Sequence, residues 1–541
     1  MGLPAPSEVQ RKPKSFRDRA LIAGLALFSV LLAVIAVLSA EHEILWDGAY
    51  FHRLAYLIFE RDCAPYRDVF DINMFGVYFV HGFVGQVFGY GDRALQIFGL
   101  VWLAALSCST YLLLRKINWL CGWAAAAVFA WLYLNQHFTQ RFQREFLYLL
   151  PISISSLMIF TPEWPARFRS LRPLLIGGLF GMAASLKPNA AAGLPVALFF
   201  EYWVARDPAE QHGVNKPRLA KLALWAGLGF VLPLLAGLGW VWMRGGLNEF
   251  IRVVTEGWPI YARLWEMLNS VPEEERAAVR LRSMLTFSQF LGQQWLFFPA
   301  GLGAAALLLS PESSPRQRQL TWYLLALLTM YTLQVYLMSQ FHPYSWLPTL
   351  YFLVLLTALG LSGLKPGKWP LAVKVVPVAA VFCLIFACNN RIEHRYAHQL
   401  FGSPAKMRTK RRVEHIAGFL NQHLQPHETV QPFDALGGCD RALTFAKAMN
   451  ATAITNELFL TLNVQEPLVM DLRQKFLETL KTKPPRFVIF VTSMRVPGMD
   501  PLDDGSFRRE IQAWVESHYA ACEEGDGFVI FERKAGARND Q

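Results

Sequence analysis

Four groups of side chains in this 541-residue chain have the types and spacing to do chemistry at a membrane boundary. The first is Asp47, in the stretch Trp46-Asp47-Gly48-Ala49-Tyr50 that follows the apolar run 20–40. A carboxylate half dehydrated at that boundary can take a proton from an alcohol or help to hold a metal ion. The plainer reading is an N-cap for a helix over 49–60. The second is Pro65-Tyr66-Arg67-Asp68-Val69-Phe70-Asp71-Ile72-Asn73, where Asp68 and Asp71, three apart, can share a cation or a sugar hydroxyl, or simply form a solvated turn. The third is Gln140-Arg141-Phe142-Gln143-Arg144-Glu145, two guanidinium groups and an acid. A guanidinium fits a phosphate through two parallel hydrogen bonds, so Arg144 beside Glu145 can clasp phosphate and sugar, or snorkel to the boundary. The fourth pairs Lys187, caught between two half-length apolar runs, with His342 and Tyr344. A lysine between apolar helices is costly unless an anion offsets its burial, whereas His342 alone reads as an ordinary interfacial histidine. Acid and base gathered at one outer-leaflet mouth suit a lipid phosphate better than a soluble substrate.

The elements that must position these groups follow from composition. The chain is 53% apolar, 14% aromatic and only 17% charged, against roughly 25% charged in soluble domains. Apolar runs of membrane-spanning length recur from residue 20 to residue 388, each needing roughly 20 residues to cross the hydrocarbon. The composition predicts a mainly α, polytopic transmembrane bundle and excludes a single soluble enzyme. The net charge of +11 sits in short loops between apolar runs, which topology explains and a nucleic-acid partner does not. Seven scattered cysteines form neither CxxC nor zinc-type spacing.

Loop charge sets the orientation. Arg11, Lys12, Lys14, Arg17 and Arg19 precede the first run and hold the N-terminus in the cytoplasm; the run is too long for a cleaved signal core. Spans are predicted over 20–40, 93–114, 120–137, 146–160, two within 174–204, then 222–243, 295–310, 320–338, 346–361 and 371–388. With about eleven spans, the basic pairs Arg115-Lys116, Arg167 with Arg169, Arg316 with Arg318, and Lys365 with Lys368 fall inside, while the acidic loop 41–92 and the loop 244–294 fall outside. Segment 75–90 is short and interrupted by Gly76, Gly82, Gly85 and Gly89, so it reads as a re-entrant or surface-lying helix. A true span there would invert every later loop. Loop 244–294, with Trp258, Tyr261, Trp265 and Glu273-Glu274-Glu275, predicts surface-lying helices over the site.

Beyond residue 389 the composition becomes that of a soluble domain. Helices over 407–424, 468–480 and 507–518 and strands over 429–433, 487–491 and 528–532 predict a small extracytoplasmic α/β domain. Cys439 and Cys522 both lie in it, and an oxidising exterior permits a disulfide between them.

The order of motifs resembles a known family. Asp47-Gly48 after the first span, Ala64-Pro65-Tyr66-Arg67-Asp68 about twenty residues on, Gly76-Val77-Tyr78, Phe88-Gly89 and Arg93 are similar to the first outer loop of the C-type membrane glycosyltransferases. The branch resembled is that of bacterial relatives of protein mannosyltransferases and aminoarabinose transferases. Gly181-Met182-Ala183-Ala184-Ser185-Leu186-Lys187-Pro188 and His342-Pro343-Tyr344-Ser345-Trp346-Leu347-Pro348 resemble two later stretches, so the likeness runs in order over 20–361. The resemblance implies a bacterial inner-membrane enzyme with a periplasmic C-terminal domain. It also implies a polyprenyl-phosphate-sugar donor and a lipid, glycan or protein acceptor. By position, Asp47 matches the family's catalytic acid and Glu145 its second acid, while Lys187 and Arg144 match the cations that hold the donor phosphate. Several relatives carry Asp-Glu where this chain has Asp47-Gly48, which puts dependence on a divalent metal ion in doubt. A polytopic transporter or flippase, or an inactive relative of the same fold, are the competing expectations; the chain lacks the repeated halves that transporters usually show.

Overall fold

A computed structural model describes residues 16–44, 46–136, 141–161, 171–204, 216–262, 273–290, 296–338, 342–362, 408–433, 437–457, 460, 465–491 and 505–535. The expected span 371–388, the basic residues 11–14, Gln140, Arg167, Arg169, Trp265, Lys365 and Lys368 lie outside the described residues.

The apolar runs form a helix bundle. Helices α1 (Phe16–Ser39), α2 (Asp47–Glu60), α3 (Gly76–Phe88), α4 (Asp92–Arg115), α5 (Trp119–Leu134), α6 (Arg144–Ile159) and α7 (Leu171–Leu186) follow in order. A tight 3₁₀ turn over Pro188–Gly193 leads into α8 (Leu194–Val204) and the long α9 (Lys216–Met243). After α10 (Leu247–Arg252) and a π turn over Val253–Gly257 come α11 (Arg276–Phe290), α12 (Phe297–Leu309), α13 (Pro315–Met338) and α14 (Leu347–Ser362). Five segments, Ile22–Ser39, Asp92–Arg115, Pro217–Met243, Pro315–Met338 and Pro343–Gly360, are long and apolar enough to cross a membrane. Helices α1 and α9 bury little of their length and expose rows of Leu and Val, as lipid-facing helices do.

The other expected spans are shorter helices. The 16-residue α5, α6 and α7 rise about 24 Å each, less than the roughly 30 Å hydrocarbon. The reason is visible in α6, which is buried along almost its whole length. A segment wrapped in protein can stop being helical at membrane depth because neighbours, not lipid, satisfy its backbone. The 13-residue α3 rises only about 20 Å and packs on α2, α4 and α7. Gly76 permits this approach, since a Cβ there would collide with the Ser185 backbone. The run 174–204, read as two spans, is likewise broken where Lys187-Pro188 interrupts the helix.

The C-terminal domain is a mixed five-stranded sheet with helices. Its elements are α15 (Arg408–His423), β1 (Thr429–Phe433), α16 (Cys439–Phe445), β2 (Met449–Asn450), α17 (Pro467–Thr482), β3 (Phe487–Val491), α18 (Gly505–His518), β4 (Tyr519–Gly525) and β5 (Phe528–Arg533). Strand order is β2-β1-β3-β5-β4, parallel across β2, β1 and β3 and antiparallel across β3, β5 and β4. The disulfide expectation is corrected: Cys439 and Cys522 are not bridged to each other. Cys439 opens α16, which packs beside β1, whereas Cys522 lies on β4 at the other edge of the sheet. Three strand spacings of about 4.8 Å separate β1 from β4, and a disulfide needs Cα atoms within about 7 Å.

The domain is bolted to loop 41–92. Arg53 on α2, fully buried, donates to Ala448 O at 2.6 Å and to Asn450 Oδ1 at 2.5 Å. Arg441 donates to Glu43 at 2.7 Å and, through Nε, to Asp92 at 3.1 Å. The Phe70 amide donates to Ala453 O at 2.8 Å. One apolar cluster runs without interruption from Tyr50 and Phe75 in the bundle to Phe433 and Phe476 in the domain.

Candidate functional site

Two helix ends and one loop make the site. Glu145 stands in the first turn of α6 and Lys187 directly follows the last turn of α7. Each charge therefore sits at the helix end whose dipole favours it. Lys187 Nζ donates to Glu145 Oε1 in a buried ion pair. The close packing that brings α7 there depends on small residues: a Cβ on Gly177 or Gly181 would strike the backbone of α9 at Ala226 or Phe230.

Arg144 is buried beside this pair, donates to Asn73 Oδ1, and lies over the Phe51 ring with its guanidinium carbon 5.4 Å from the centroid. Asn73 is held in turn by Asp71, whose Oδ1 accepts from Asn73 Nδ2 at 2.7 Å and from the Ile72 amide at 2.8 Å. Tyr78 donates to Asp71 Oδ2 at 2.8 Å and Tyr50 to Oδ1 at 3.3 Å. Burial still raises the Asp71 carboxyl above the usual range, more than these donors lower it. Asp71 is thus a saturated hub that fixes the loop, and through Asn73 it orients Arg144.

Asp47 differs from both other acids. It is the first residue of α2, one position inside the helix, and it does not act as its cap: Trp46 occupies the cap position and makes no side-chain cap bond. Trp46 itself has φ +56°, a conformation rare for a bulky residue, which turns the chain sharply into α2 and aims residue 47. Asp47 lines a cleft of about 80 Å³ with Tyr50, Asp71, Asn73, Arg144, Tyr261 and Asn456. It lies within electrostatic reach of Arg144, Lys187, Tyr261, His342 and Tyr344. Among the described residues, no hydrogen bond or ion pair occupies its oxygens.

Of the residues singled out in the sequence, Asp47, Asp71, Glu145, Arg144 and Lys187 converge here. His342 is exposed and stacks on the buried Tyr344, ring centroids 5.1 Å apart, at the rim of the same group. Asp68 does not join them. It chelates Arg67 at 2.8 and 2.9 Å and accepts from the Ala64 amide at 2.9 Å, the solvated-turn alternative. Three site residues lay unmarked as such. Asn73 and Asn456 carry no charge, so no burial cost advertised them. Tyr261 drew notice only as part of an aromatic loop; burial pushes its hydroxyl up to about 12, so it stays a neutral donor.

The described donor set does not form a divalent-ion site. Both Asp71 oxygens already accept hydrogen bonds, Glu145 gives Oε1 to Lys187 while its buried Oε2 has no hydrogen-bond partner, and among the described residues no group of three His, Cys, Asp or Glu side chains is arranged to hold a metal. Position 48, where the family resemblance implies a second acid, is tight: a Cβ on Gly48 would stand 2.8 Å from Ile44 Cγ2, so Ile44 would have to shift.

No family model and no curated protein matches the sequence. Solved structures do match. ArnT from Cupriavidus metallidurans bound to undecaprenyl phosphate superposes with a TM-score of 0.53 at 14% identity, covering 96% of this chain and 99% of that one. The Archaeoglobus fulgidus oligosaccharyltransferase in complex with zinc and sulfate superposes with a TM-score of 0.51 at 13% identity over 95% of this chain and 73% of that one. The same organism's oligosaccharyltransferase AglB, in complex with an inhibitory peptide and a dolichol-phosphate, gives 0.50 at 13% over 97% and 75%. The chain has the fold of the C-type membrane glycosyltransferases.

Proposed function

We propose that this protein is a membrane glycosyltransferase that moves a sugar from a polyprenyl-phosphate donor to an extracytoplasmic hydroxyl or amine with inversion. On this reading it sits in a bacterial inner membrane, with its C-terminal domain in the periplasm. The observation that carries the proposal is the contrast among three acids. Asp71 is held by hydrogen bonds and Glu145 is ion-paired to Lys187, while among the described residues nothing bonds Asp47, which lines a cleft with the buried cation Arg144. The ligands of fold neighbours, undecaprenyl phosphate in ArnT and a dolichol-phosphate in AglB, supply the donor class.

The chemistry then divides between two charges. The acceptor oxygen or nitrogen attacks the anomeric carbon, its proton passes to Asp47, and the bond from that carbon to the phosphate oxygen breaks. A phosphate monoester leaves as a weak base, so it needs cations rather than an acid. Arg144 supplies a planar donor pair, and Lys187 keeps further N–H donors beyond the one given to Glu145. Both were placed before the reaction by their carboxylate and amide partners, so little reorganisation is required as charge develops. Asp47, whose oxygens have no partner among the described residues, serves as the base in a single displacement, which inverts the anomeric centre. No step runs through a metal.

Asp47→Asn in the purified, lipid-reconstituted protein tests this. Transfer from an undecaprenyl-phosphate sugar should fall by about 100- to 10,000-fold, the usual worth of a general base. Thermal stabilisation by undecaprenyl phosphate should persist. Unchanged transfer removes Asp47 from the mechanism, and uptake of a solute into proteoliposomes without any glycosylated product replaces the transferase by a transporter.

A further inference from the structure

A second, larger cleft of about 190 Å³ opens between loop 41–92, the α10 turn and the C-terminal domain. Its apolar floor is Tyr66, Phe70 and Phe476, and its rim is charged: Arg67, Glu249, Arg252, Asp471 and Lys475. Phe70 lines this cleft and the Asp47 cleft alike. The wall between them is Phe70 together with the segment after β2, whose Thr452, Ala453 and Ile454 face the larger cleft and whose Asn456 faces the smaller. The bond from the Phe70 amide to Ala453 O fixes that wall.

The rim decides what fits. Each cation on it is already matched: Arg67 with Asp68 at 2.8 Å, Arg252 with Glu256 at 3.1 Å and also with Asp471, and Lys475 with Asp471 at 3.0 Å. An anionic group would have to displace a carboxylate from one of these pairs, and a purely apolar one would desolvate them without return. A neutral ligand bearing many hydroxyls needs neither, because it can donate to the carboxylates and accept from the remaining N–H groups while its C–H face rests on the rings. Thr479 donates its hydroxyl proton to the Lys475 carbonyl and so presents acceptor lone pairs, while the Thr452 hydroxyl donates to Gln431 and already accepts from the Ile454 amide. The volume lies below the roughly 300–1,000 Å³ of pockets for drug-sized ligands, which suits one sugar ring rather than an extended chain.

From this charge-balanced, ring-floored cleft joined to the Asp47 cleft through Phe70, we infer that the protein binds a neutral sugar unit of its acceptor there, so that the acceptor is a glycan. The inference rests on the transferase reading for the word acceptor, and on the cleft alone for the sugar. The C-terminal domain is then half of the acceptor site. The acceptor's neutral ring seats against Phe476 and Asp471, with Phe70 between it and the Asp47 cleft where a further part of the acceptor would react.

Saturation-transfer NMR on the full-length protein in lipid nanodiscs tests this with three probes: a neutral disaccharide methyl glycoside, glucose 6-phosphate and an uncharged tripeptide. The disaccharide should give saturation transfer that Thr479→Trp weakens at least tenfold, and Lys475→Trp as well; both positions lie on the accessible side of α17, so neither change disturbs the core. Undecaprenyl phosphate should stabilise these variants as it does the parent. Disaccharide binding that ignores both substitutions overturns the inference, and so does preference for the sugar phosphate or the tripeptide. If the disaccharide responds as expected but undecaprenyl phosphate stabilises no form of the protein, the transferase reading fails and the sugar cleft stands.

Discussion

At the scale of single residues, the site is a matter of which charges are already neutralised. Lys187 and Glu145 are buried together, with side-chain exposures of 9% and 1%. Removing one partner strands the other in a low-dielectric interior, which costs about 3–5 kcal/mol, whereas replacing both costs far less. Lys187→Met should therefore lower the melting temperature in detergent markedly, and Glu145→Gln with Lys187→Met should recover most of the loss while transfer stays impaired through the missing cation. A double variant as unstable as the single one would show that the pair is not what holds α6 to α7. Gly48→Glu makes a complementary case. A second acid cannot enter without displacing Ile44, so the variant should lose activity rather than gain metal dependence, and added zinc or manganese should not restore transfer. Asp47, Arg144, Glu145 and Lys187 were legible in the sequence because a charge beside an apolar run is expensive and stands out. Asp68 stood out equally and is a turn residue, since spacing does not say which way a carboxylate turns. Asn73 and Asn456 are neutral, and only the folded loops bring them to the cleft.

At the scale of elements, apolar periodicity located nearly every long helix and the central strands. It did not find β4, whose pattern is almost wholly exposed because it is an edge strand, nor β2 and α16, too short to show a period. Those unmarked pieces matter, because α16 and β2 are where the domain grips α2. Asp440 in α16 is buried, both its oxygens lack hydrogen-bond partners among the described residues, and it faces Arg53 and Glu457. Burial pushes its carboxyl up to about 7 from an ordinary value near 3.8. An acid raised in the folded state holds its proton there at pH values where the unfolded chain has lost it. Between about pH 4 and 7 the folded state thus binds more protons, and stability falls as pH rises through that window. Asp440→Asn should flatten this decline and raise the melting temperature at pH 8 relative to the parent. A parent whose melting temperature is flat from pH 5 to 8 would mean that Arg53 compensates the charge fully.

At the scale of the whole molecule, the C-terminal domain shares in the proposed site, because it supplies Asn456 to the Asp47 cleft and braces Phe70. That continuity makes the docking contacts functionally testable far from the chemistry. Arg441 is the central bolt, gripping Glu43 and Asp92 with only 5% of its side chain exposed. Glu43 already has its carboxyl raised by burial, and Arg441 is the main group opposing that rise. Arg441→Ala leaves Glu43 and Asp92 without their bonded cation and with only the weaker influence of Lys410, so the domain should loosen without unfolding. The Phe70 amide, protected by Ala453, should then exchange with deuterium at least tenfold faster, and transfer should fall although Asp47, Arg144 and Lys187 are untouched. Lowering the pH toward 5 should restore protection in part, since protonating Glu43 removes its charge more readily once Arg441 is gone. Undecaprenyl phosphate should still stabilise the variant, because the cations proposed to hold it belong to α6 and α7. Fast exchange at Phe70 together with full transfer would show that the domain only covers the bundle, and that the wall between the two clefts has no part in the reaction.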